Sequence, residues 1–228
     1  MTPAAIAIVL AGGSGERLGE RTPKAFVALG GRPLLVHAAL AALACPAIGS
    51  IVVAAPEGLE DLAHAMLEGV GAHAVVTGGA TRQGSVRAAL EVVPPEAEAI
   101  VCHDAARPFA RPELFTAVLS ALQDADGAVP VLPVPDTVKR VRGGIVLGTE
   151  SREELALAQT PQAFSASALR EAHRRAVEAG VDLTDDAAVL EWAGFRVRAI
   201  PGDPANFKIT TPDDLARAEL HAGDLARG

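Results

Sequence analysis

Residues 4–10, AAIAIVL, form an unbroken apolar run that ends directly in a glycine-rich loop. A strand with one face in water alternates apolar and polar residues. A run without alternation belongs to a strand covered on both faces, as in a parallel sheet held between two layers of helices. The chain keeps to that demand. Strand patterns at 51–55, 72–76, 99–102 and 128–132 alternate with helical patterns at 33–45, 57–67, 81–93 and 111–123. Pro33 and Pro112 stand in first helical turns, where a missing N–H costs nothing. Strict alternation predicts an α/β fold: a Rossmann-like, three-layer arrangement with a mainly parallel sheet and helices on both faces.

The rhythm breaks after Pro135. Segments 137–141 and 145–148, joined by Arg142-Gly143-Gly144, read as a β-hairpin with a glycine turn and no covering helix. A projecting arm that packs on a second copy of the chain accounts for it. A homodimer is therefore expected, with the arm at about 136–152. Helical patterns return at 167–179 and 184–192, and a strand follows at 195–200. A last helix starts at Pro212 with Asp213 and Asp214 in its first turn, where the helix dipole favours them. No linker or repeat divides the sequence, so residues 1–228 are read as one domain with an arm.

Composition removes several functions. Half the residues are hydrophobic, too many for a disordered chain, and the longest apolar stretches are too short to cross a bilayer. The formal charge of −8 opposes a nucleic-acid or membrane-surface role, so neither partner is expected. The start, MTPAAIAIVLAGG, lacks the basic opening of a signal peptide, and a cytoplasmic protein is expected. Cys45 and Cys102 match no metal or redox spacing and read as buried thiols; the six histidines are too scattered for a structural zinc site. Of the 20 cationic residues only Lys24, Lys139 and Lys208 are lysines, each a candidate for work that needs a compact point charge.

The loop after the first strand, LAGGSGERLGERTPKAF (10–26), gathers Gly12, Gly13, Gly15 and Gly19 with Arg17, Arg21 and Lys24. A strand followed by such a loop suggests a phosphate site. The dinucleotide fingerprint G-x-G-x-x-G fails at Leu18, and the P-loop pattern fails for want of a Gly-Lys pair. What is left is a backbone nest for phosphates, with Arg17 and Lys24 supplying charge. A plain turn with exposed cations is the bland alternative, and four glycines in one short loop weigh against it. In TGGATRQGSVRAAL (77–90) the Gly78–Gly79 pair leads into a helix that carries Ser85, which suits a small planar base or a simple N-cap at Thr81. In CHDAARPF (102–109), at the carboxyl end of a strand, Asp104 can hold a divalent cation and Arg107 can clamp a phosphate, whereas His103 reads as a packed residue.

The first loop resembles the L-A-G-G-x-G-x-R-x(n)-P-K signature of nucleotidyltransferases that join a nucleoside triphosphate to a sugar or polyol phosphate. Together with H-D-A-A-R-P, D-T-x-K, T-P-Q-x-F, TDDAAVLEWAG (184–194) and NFKITTPDDL (206–215), the chain resembles the 2-C-methyl-D-erythritol 4-phosphate cytidylyltransferases over nearly its whole length. The resemblance implies transfer of CMP from CTP to that polyol phosphate, with pyrophosphate released and Mg²⁺ or another divalent cation at Asp104. It implies that Ala11, Gly12, Gly13, Gly79, Ser85 and Asp104 meet the nucleotide. Arg17, Lys24 and Lys208 would surround the triphosphate and the reacting phosphate as the catalytic set. Asp104, Arg107, Thr137, Arg152, Thr160 and Thr184 would line the acceptor site, part of it donated by the partner's arm. Ala80 departs from the pattern, standing where well-known members have an acidic residue; use of its backbone alone would make this harmless. The last matching helix ends near the final residue, so no fused cyclase domain is expected.

The chemistry accords with this set. A phosphate monoester, with a second pKa of about 6, is already largely dianionic at neutral pH and needs no general base to attack. Relief from charge repulsion is what it needs, and fixed cations and a metal supply that. Two other readings stay open: a cytidylyltransferase for another polyol phosphate such as ribitol 5-phosphate, and a non-catalytic nucleotide-binding sensor.

Overall fold

The computed structural model describes residues 5–13, 22–71 and 73–225. In chain order the first half runs β1 (Ala5–Leu10), β2 (Ala28–Leu29), β3 (Arg32–Pro33), α1 (Leu34–Leu43), β4 (Ile48–Ala55), α2 (Glu60–Met66), β5 (His73–Thr77), α3 (Arg82–Leu90), β6 (Ala99–Asp104) and α4 (Pro112–Ser120). The second half runs β7 (Gly127–Pro133), β8 (Lys139–Arg142), β9 (Ile145–Thr149), β10 (Ala156–Ala158), β11 (Gln162–Ser165), α5 (Ala166–Ala179), α6 (Asp186–Trp192), β12 (Val197–Pro201) and α7 (Pro212–Leu225).

One sheet, in the order β10-β7-β11-β6-β1-β4-β5 with β12 beside β7, forms the middle layer. Strands β6, β1, β4 and β5 are mutually parallel, as the apolar runs require. The pleat divides each strand between two cores. Ala5, Ala7 and Val9 join Ile51, Val53 and Val101 under Leu35, Ala39 and Phe115 of α1 and α4. Ile6 and Ile8 join Val52, Ile100 and Cys102 under Val86, Leu169 and Leu190 of α3, α5 and α6. Burial on both faces is why AAIAIVL carries no polar residue. The Rossmann-like three-layer reading holds.

Four strands were not legible in the sequence: the two-residue pair β2 and β3, and β10 and β11. β10 and β11 run antiparallel to β7, and β11 wedges between β6 and β7. Each is only three or four residues long, and the sequence there is Ala- and Gln-rich rather than β-branched. The cis Thr160–Pro161 bond lies between them. Helix α2 starts at Glu60 instead of Glu57, because Gly58 at φ +78° makes a turn closed by Leu59 N–H to Pro56 O at 3.0 Å.

The hairpin expected after Pro135 is present. β8 and β9 form a separate two-stranded sheet whose turn has Gly143 and Gly144 at φ 55° and 79°, the positive pair a tight hairpin demands. Lys139 Nζ donates to Thr149 Oγ1 across it at 2.6 Å. Val141, Ile145, Val146 and Leu147 are exposed in the single chain. Among the described residues no helix is long and apolar enough to cross a membrane.

The junction of β7 with β11 tolerates no added atom. Gly127 pairs with Phe164 across the ladder, and a Cβ at Gly127 would lie 2.9 Å from Phe164 Cδ1 and 3.2 Å from Leu190 Cδ2. Both side chains are fully buried, so neither can swing aside. Gly127→Ala is expected to cost about 1–3 kcal/mol through overpacking. Urea unfolding should show a lower midpoint at unchanged slope; an unshifted midpoint would mean that β7 and β11 part without strain.

Candidate active site

The parallel strands end together on one edge of the sheet. The last rung of β1 places Leu10 beside Ala54 on one side and Asp104 on the other. Ala11 N–H then donates to Ala54 O at 3.0 Å, and Ala105 N–H donates to Leu10 O at 3.1 Å. The loops leaving these strands therefore start from fixed points and enclose a cleft beyond the strand ends.

One wall is the turn after β5. Gly78 N–H donates to Ala55 O at 2.7 Å, and Gly79 N–H donates to Ser85 Oγ at 3.1 Å. Thr81 caps α3, its Oγ1 accepting from Gly84 N–H at 3.0 Å. A Cβ on Gly79 would sit 2.6 Å from the Gly84 carbonyl carbon, so only glycine lets this turn fold onto the helix. Ser85 serves this wall: its hydroxyl accepts from Gly79 and can donate to Thr81 O at 3.0 Å. Across the cleft lie Gly12, whose Cβ position is 3.8 Å from Ser85 Oγ, and Gly13. Lys24, half-buried, opens a short 3₁₀ turn and ties its N–H to Gly13 O at 3.2 Å. Its side chain runs along Gly13, with Cε 3.5 Å from the Cβ position there.

The floor is charged. Asp104, the last residue of β6, accepts from Arg82 Nη1 on Oδ1 and from Lys208 Nζ on Oδ2, the latter at 2.7 Å. Arg82 Nη2 donates to Asp186 Oδ2 at 2.8 Å. Burial alone would push Asp104 up, but Arg82 and Lys208 together hold its carboxyl well below the ordinary range. Burial would likewise lower Arg82; Asp186 and Asp104 outweigh it and raise the guanidinium further. Two cations and two carboxylates thus balance within the network.

Behind the floor, Asp104 N–H donates to Thr160 Oγ1 at 3.0 Å. His103 sets the proton positions there. Its Nε2 lies 3.2 Å from Arg107 O, an acceptor, so Nε2 carries the hydrogen; Nδ1 then accepts from the Thr160 hydroxyl at 3.1 Å. Asn206 joins the same scaffold, donating through Nδ2 to Thr160 O at 2.8 Å. Two residues on, Lys208 is held in place by Ile209 N–H to Ala106 O at 2.9 Å and by Arg217 stacked on Phe207, 4.1 Å from the ring centroid.

The structure thus brings Ala11, Gly12, Gly13, Lys24, Gly79 and Ser85 to one cleft with Asp104 and Lys208. Thr160 stands behind Asp104 and does not border the cleft. Arg107 points elsewhere than the phosphate clamp expected of it: Nη1 donates to Asn206 O at 2.9 Å and Nη2 to Ala158 O at 3.3 Å. Main-chain carbonyls of β10 and the 206 segment take up the fork. Thr137 and Arg152 sit with the arm, Arg152 Nη1 donating to Pro135 O at 2.9 Å, and Thr184 precedes the α6 cap Asp185. All three are exposed and none borders the cleft of its own chain. Arg17 falls in 14–21, outside the described residues. Sequence reasoning missed Arg82, Asp186 and Asn206. A signal existed for Arg82: a cation in a first helical turn opposes the dipole unless a carboxylate meets it.

A family model described as IspD, 2-C-methyl-D-erythritol 4-phosphate cytidylyltransferase, matches residues 5–223. The chain belongs to this family. Among curated relatives, the bifunctional enzyme IspD/IspF of a Bradyrhizobium species is 42% identical over 97% of this chain and 58% of its own length. That of Clavibacter michiganensis is 45% identical over 97% of this chain and 55% of its own. The chain spans a little over half the length of these relatives. Among solved structures, the 2-C-methyl-D-erythritol 4-phosphate cytidylyltransferase of Thermus thermophilus is 38% identical with TM-score 0.80, covering 95% of this chain and 98% of that one. The 4-diphosphocytidyl-2C-methyl-D-erythritol synthase of Anaerococcus prevotii is 28% identical with TM-score 0.86, covering 98% and 100%.

The site scaffold leaves a mark on acid stability. Burial pushes His103 down to about 4, with Arg107 and Arg82 adding to that and Asp104 opposing it. The unfolded chain then binds a proton below its ordinary pKa of ~6.5 that the folded chain refuses, so stability falls as pH drops from there toward about 4. The loss is on the order of 3 kcal/mol. Denaturant unfolding between pH 7 and pH 4.5 is expected to show a shallower loss for His103→Gln than for the parent chain; parallel curves would contradict the assignment.

Proposed function

We propose that the chain transfers CMP from CTP to 2-C-methyl-D-erythritol 4-phosphate, giving 4-diphosphocytidyl-2-C-methyl-D-erythritol and pyrophosphate. The observation that carries this is the convergence of Gly12, Gly13 and Lys24, the Gly79–Ser85 turn and the Lys208–Asp104 pair on one cleft, in a chain of this family. The narrow Gly79 turn suits a cytosine read through main-chain groups. One oxygen of the acceptor's phosphate attacks the α-phosphorus of CTP; the bond to the bridging oxygen breaks and its electron pair leaves with pyrophosphate. No general base is needed for a dianionic phosphate, and His103, buried with both ring nitrogens engaged, offers none. Lys24, Lys208 and Arg17 spread the charge that builds between the phosphates.

Asp104 fits as a single protein ligand to Mg²⁺. An ionised carboxylate has about four acceptor sites, so Oδ2 can keep Lys208 Nζ and still face a metal. Among the described residues no group of three or more His, Cys, Asp or Glu could hold a metal, so the phosphates would supply its other protein-independent ligands. The metal would supply further neutralisation of phosphate charge. Buried, unpaired Cys45 and Cys102 suit a reducing compartment, and we assign the enzyme to the cytoplasm.

The arm supports a homodimer with shared sites. Its exposed Val141, Ile145 and Val146 form a sticky edge that a second arm would cover. Thr137 and Arg152, outside their own chain's cleft, would then reach the partner's cleft, while Thr160 supports the acceptor side from behind Asp104.

The test of function is pyrophosphate release with four nucleoside triphosphates and two acceptors, with and without chelator. CTP with methylerythritol phosphate should be strongly preferred, and chelator should abolish turnover until Mg²⁺ is restored. Comparable rates with ATP would sink the base reading, and preference for ribitol 5-phosphate would reassign the acceptor. For the dimer, Lys24→Ala should lower kcat on the order of a hundredfold or more, and Arg152→Ala should also be crippled. Refolded together, about half the dimers are mixed and each carries one intact site, so about a quarter of parental activity should return. Proven subunit exchange without recovery would place both residues in one chain's site.

A further inference from the structure

Among the described residues, Arg82 is the one cation of the cleft floor to which the family resemblance gives no part. It stands first in α3, where the helix dipole disfavours positive charge. Its side chain is mostly enclosed, and its Nε is buried with no hydrogen-bond partner among the described residues. The same holds for Oδ1 of Asp186, itself almost fully buried at the start of α6. A surface cation would relax to satisfy such groups. This one is held by its fork, Nη1 on Asp104 and Nη2 on Asp186.

We propose that Arg82 is a positioning residue: forking between Asp104 and Asp186, it turns the Asp104 carboxylate so that Oδ2 holds Lys208 Nζ where the phosphates react. The inference rests on the reading of Lys208 as a catalytic cation. Three features carry it. Asp104 offers two oxygens, and each is given to a different cation, Oδ1 to Arg82 and Oδ2 to Lys208. Asp186 is fixed behind the cap of α6, where Asp185 Oδ1 accepts from Ala188 N–H at 2.8 Å, so the far end of the fork is anchored. The planar guanidinium sets its donors on separate nitrogens, Nη1 for Asp104 and Nη2 for Asp186; a lysine ammonium in its place would have to reach both carboxylates from a single nitrogen. A purely structural staple between α3 and α6 would need no second arm on Asp104.

Arg82→Lys keeps the charge and removes the fork. It is expected to melt close to the parent, to hold the KM for CTP within about threefold, and to lose kcat on the order of a hundredfold, the scale of a misplaced reacting group. Added to Asp104→Asn it should cost nothing further, because both substitutions cut the same link. A crystal structure of Arg82→Lys should show Lys208 Nζ out of hydrogen-bond distance of Asp104, a readout that needs no activity. Parental kcat, losses that multiply in the double variant, or an unchanged Lys208–Asp104 contact would each overturn the proposal. If Arg82→Lys fails to fold, Asp186→Asn carries the test: it leaves Asp104 and its cations in place, frees the anchor, and should lower kcat about tenfold at an unchanged KM. Parental kcat in that variant would overturn the proposal as well. Failure of the parent itself to release pyrophosphate would refute the functional reading instead, and the crystal comparison would then decide the role of Arg82 alone.

Discussion

Asp104 sits ionised at the inner end of β6, nine-tenths hidden from water, between the guanidinium of Arg82 and the ammonium of Lys208. A carboxylate taken out of water without such partners would take up a proton or refuse burial. With them it becomes the point at which separate parts of the chain are joined. Arg82 brings the first turn of α3 and, through Asp186, the first turn of α6. Lys208 brings the segment that leads into α7. Thr160, accepting from the Asp104 main chain, brings the junction of β10 and β11. Each of these segments also carries or adjoins a residue assigned to the cleft, so the pairing of one carboxylate organises the site.

The polar groups behind the cleft are spent on holding main chain in place. His103, Thr160, Arg107, Gln159 and Asn206 exchange hydrogen bonds almost wholly with one another and with carbonyls of the 158–160 and 203–206 segments. That is a scaffold of fixed dipoles, with no residue poised to pass a proton. It suits the proposed reaction between phosphates, where preorganised charge contributes more than acid–base exchange. It also explains how a loop residue such as Lys208 can keep a defined position: its neighbours Asn206, Phe207 and Ile209 are each anchored, by Thr160, Arg217 and Ala106 in turn.

The arm stands apart from this scaffold. Its two strands pair only with each other, its turn is made by two glycines, and its apolar side chains face outward in the single chain. Thr137 and Arg152 at its base do not line their own cleft, whose walls come from the body of the fold. The residues proposed to meet the nucleotide thus come from the first half of the chain, whereas those proposed for the acceptor run from Asp104 and Arg107 through the arm to Thr184.

Much of this was present in the sequence. Unbroken apolar runs such as AAIAIVL determined a parallel sheet covered on both faces, because each residue of those strands meets one core or the other. The glycine loop, the Gly78–Gly79 turn and HDAARPF determined the crevice, because loops leaving adjacent parallel strands must lie at one edge. The hairpin was legible from its two glycines and its lack of a helix. β10 and β11 were not, because three or four small and amide side chains have no period; their pairing is imposed by β6 and β7. Nor was the direction of Arg107, whose fork is taken by carbonyls from segments about fifty and a hundred residues away. The Arg82–Asp104–Lys208 junction joins residues 82, 104 and 208, and no local pattern encodes such a meeting. Local periodicity is written in the sequence by burial, whereas the choice of which cation meets which carboxylate was decided only when the tertiary fold excluded water from the space between them.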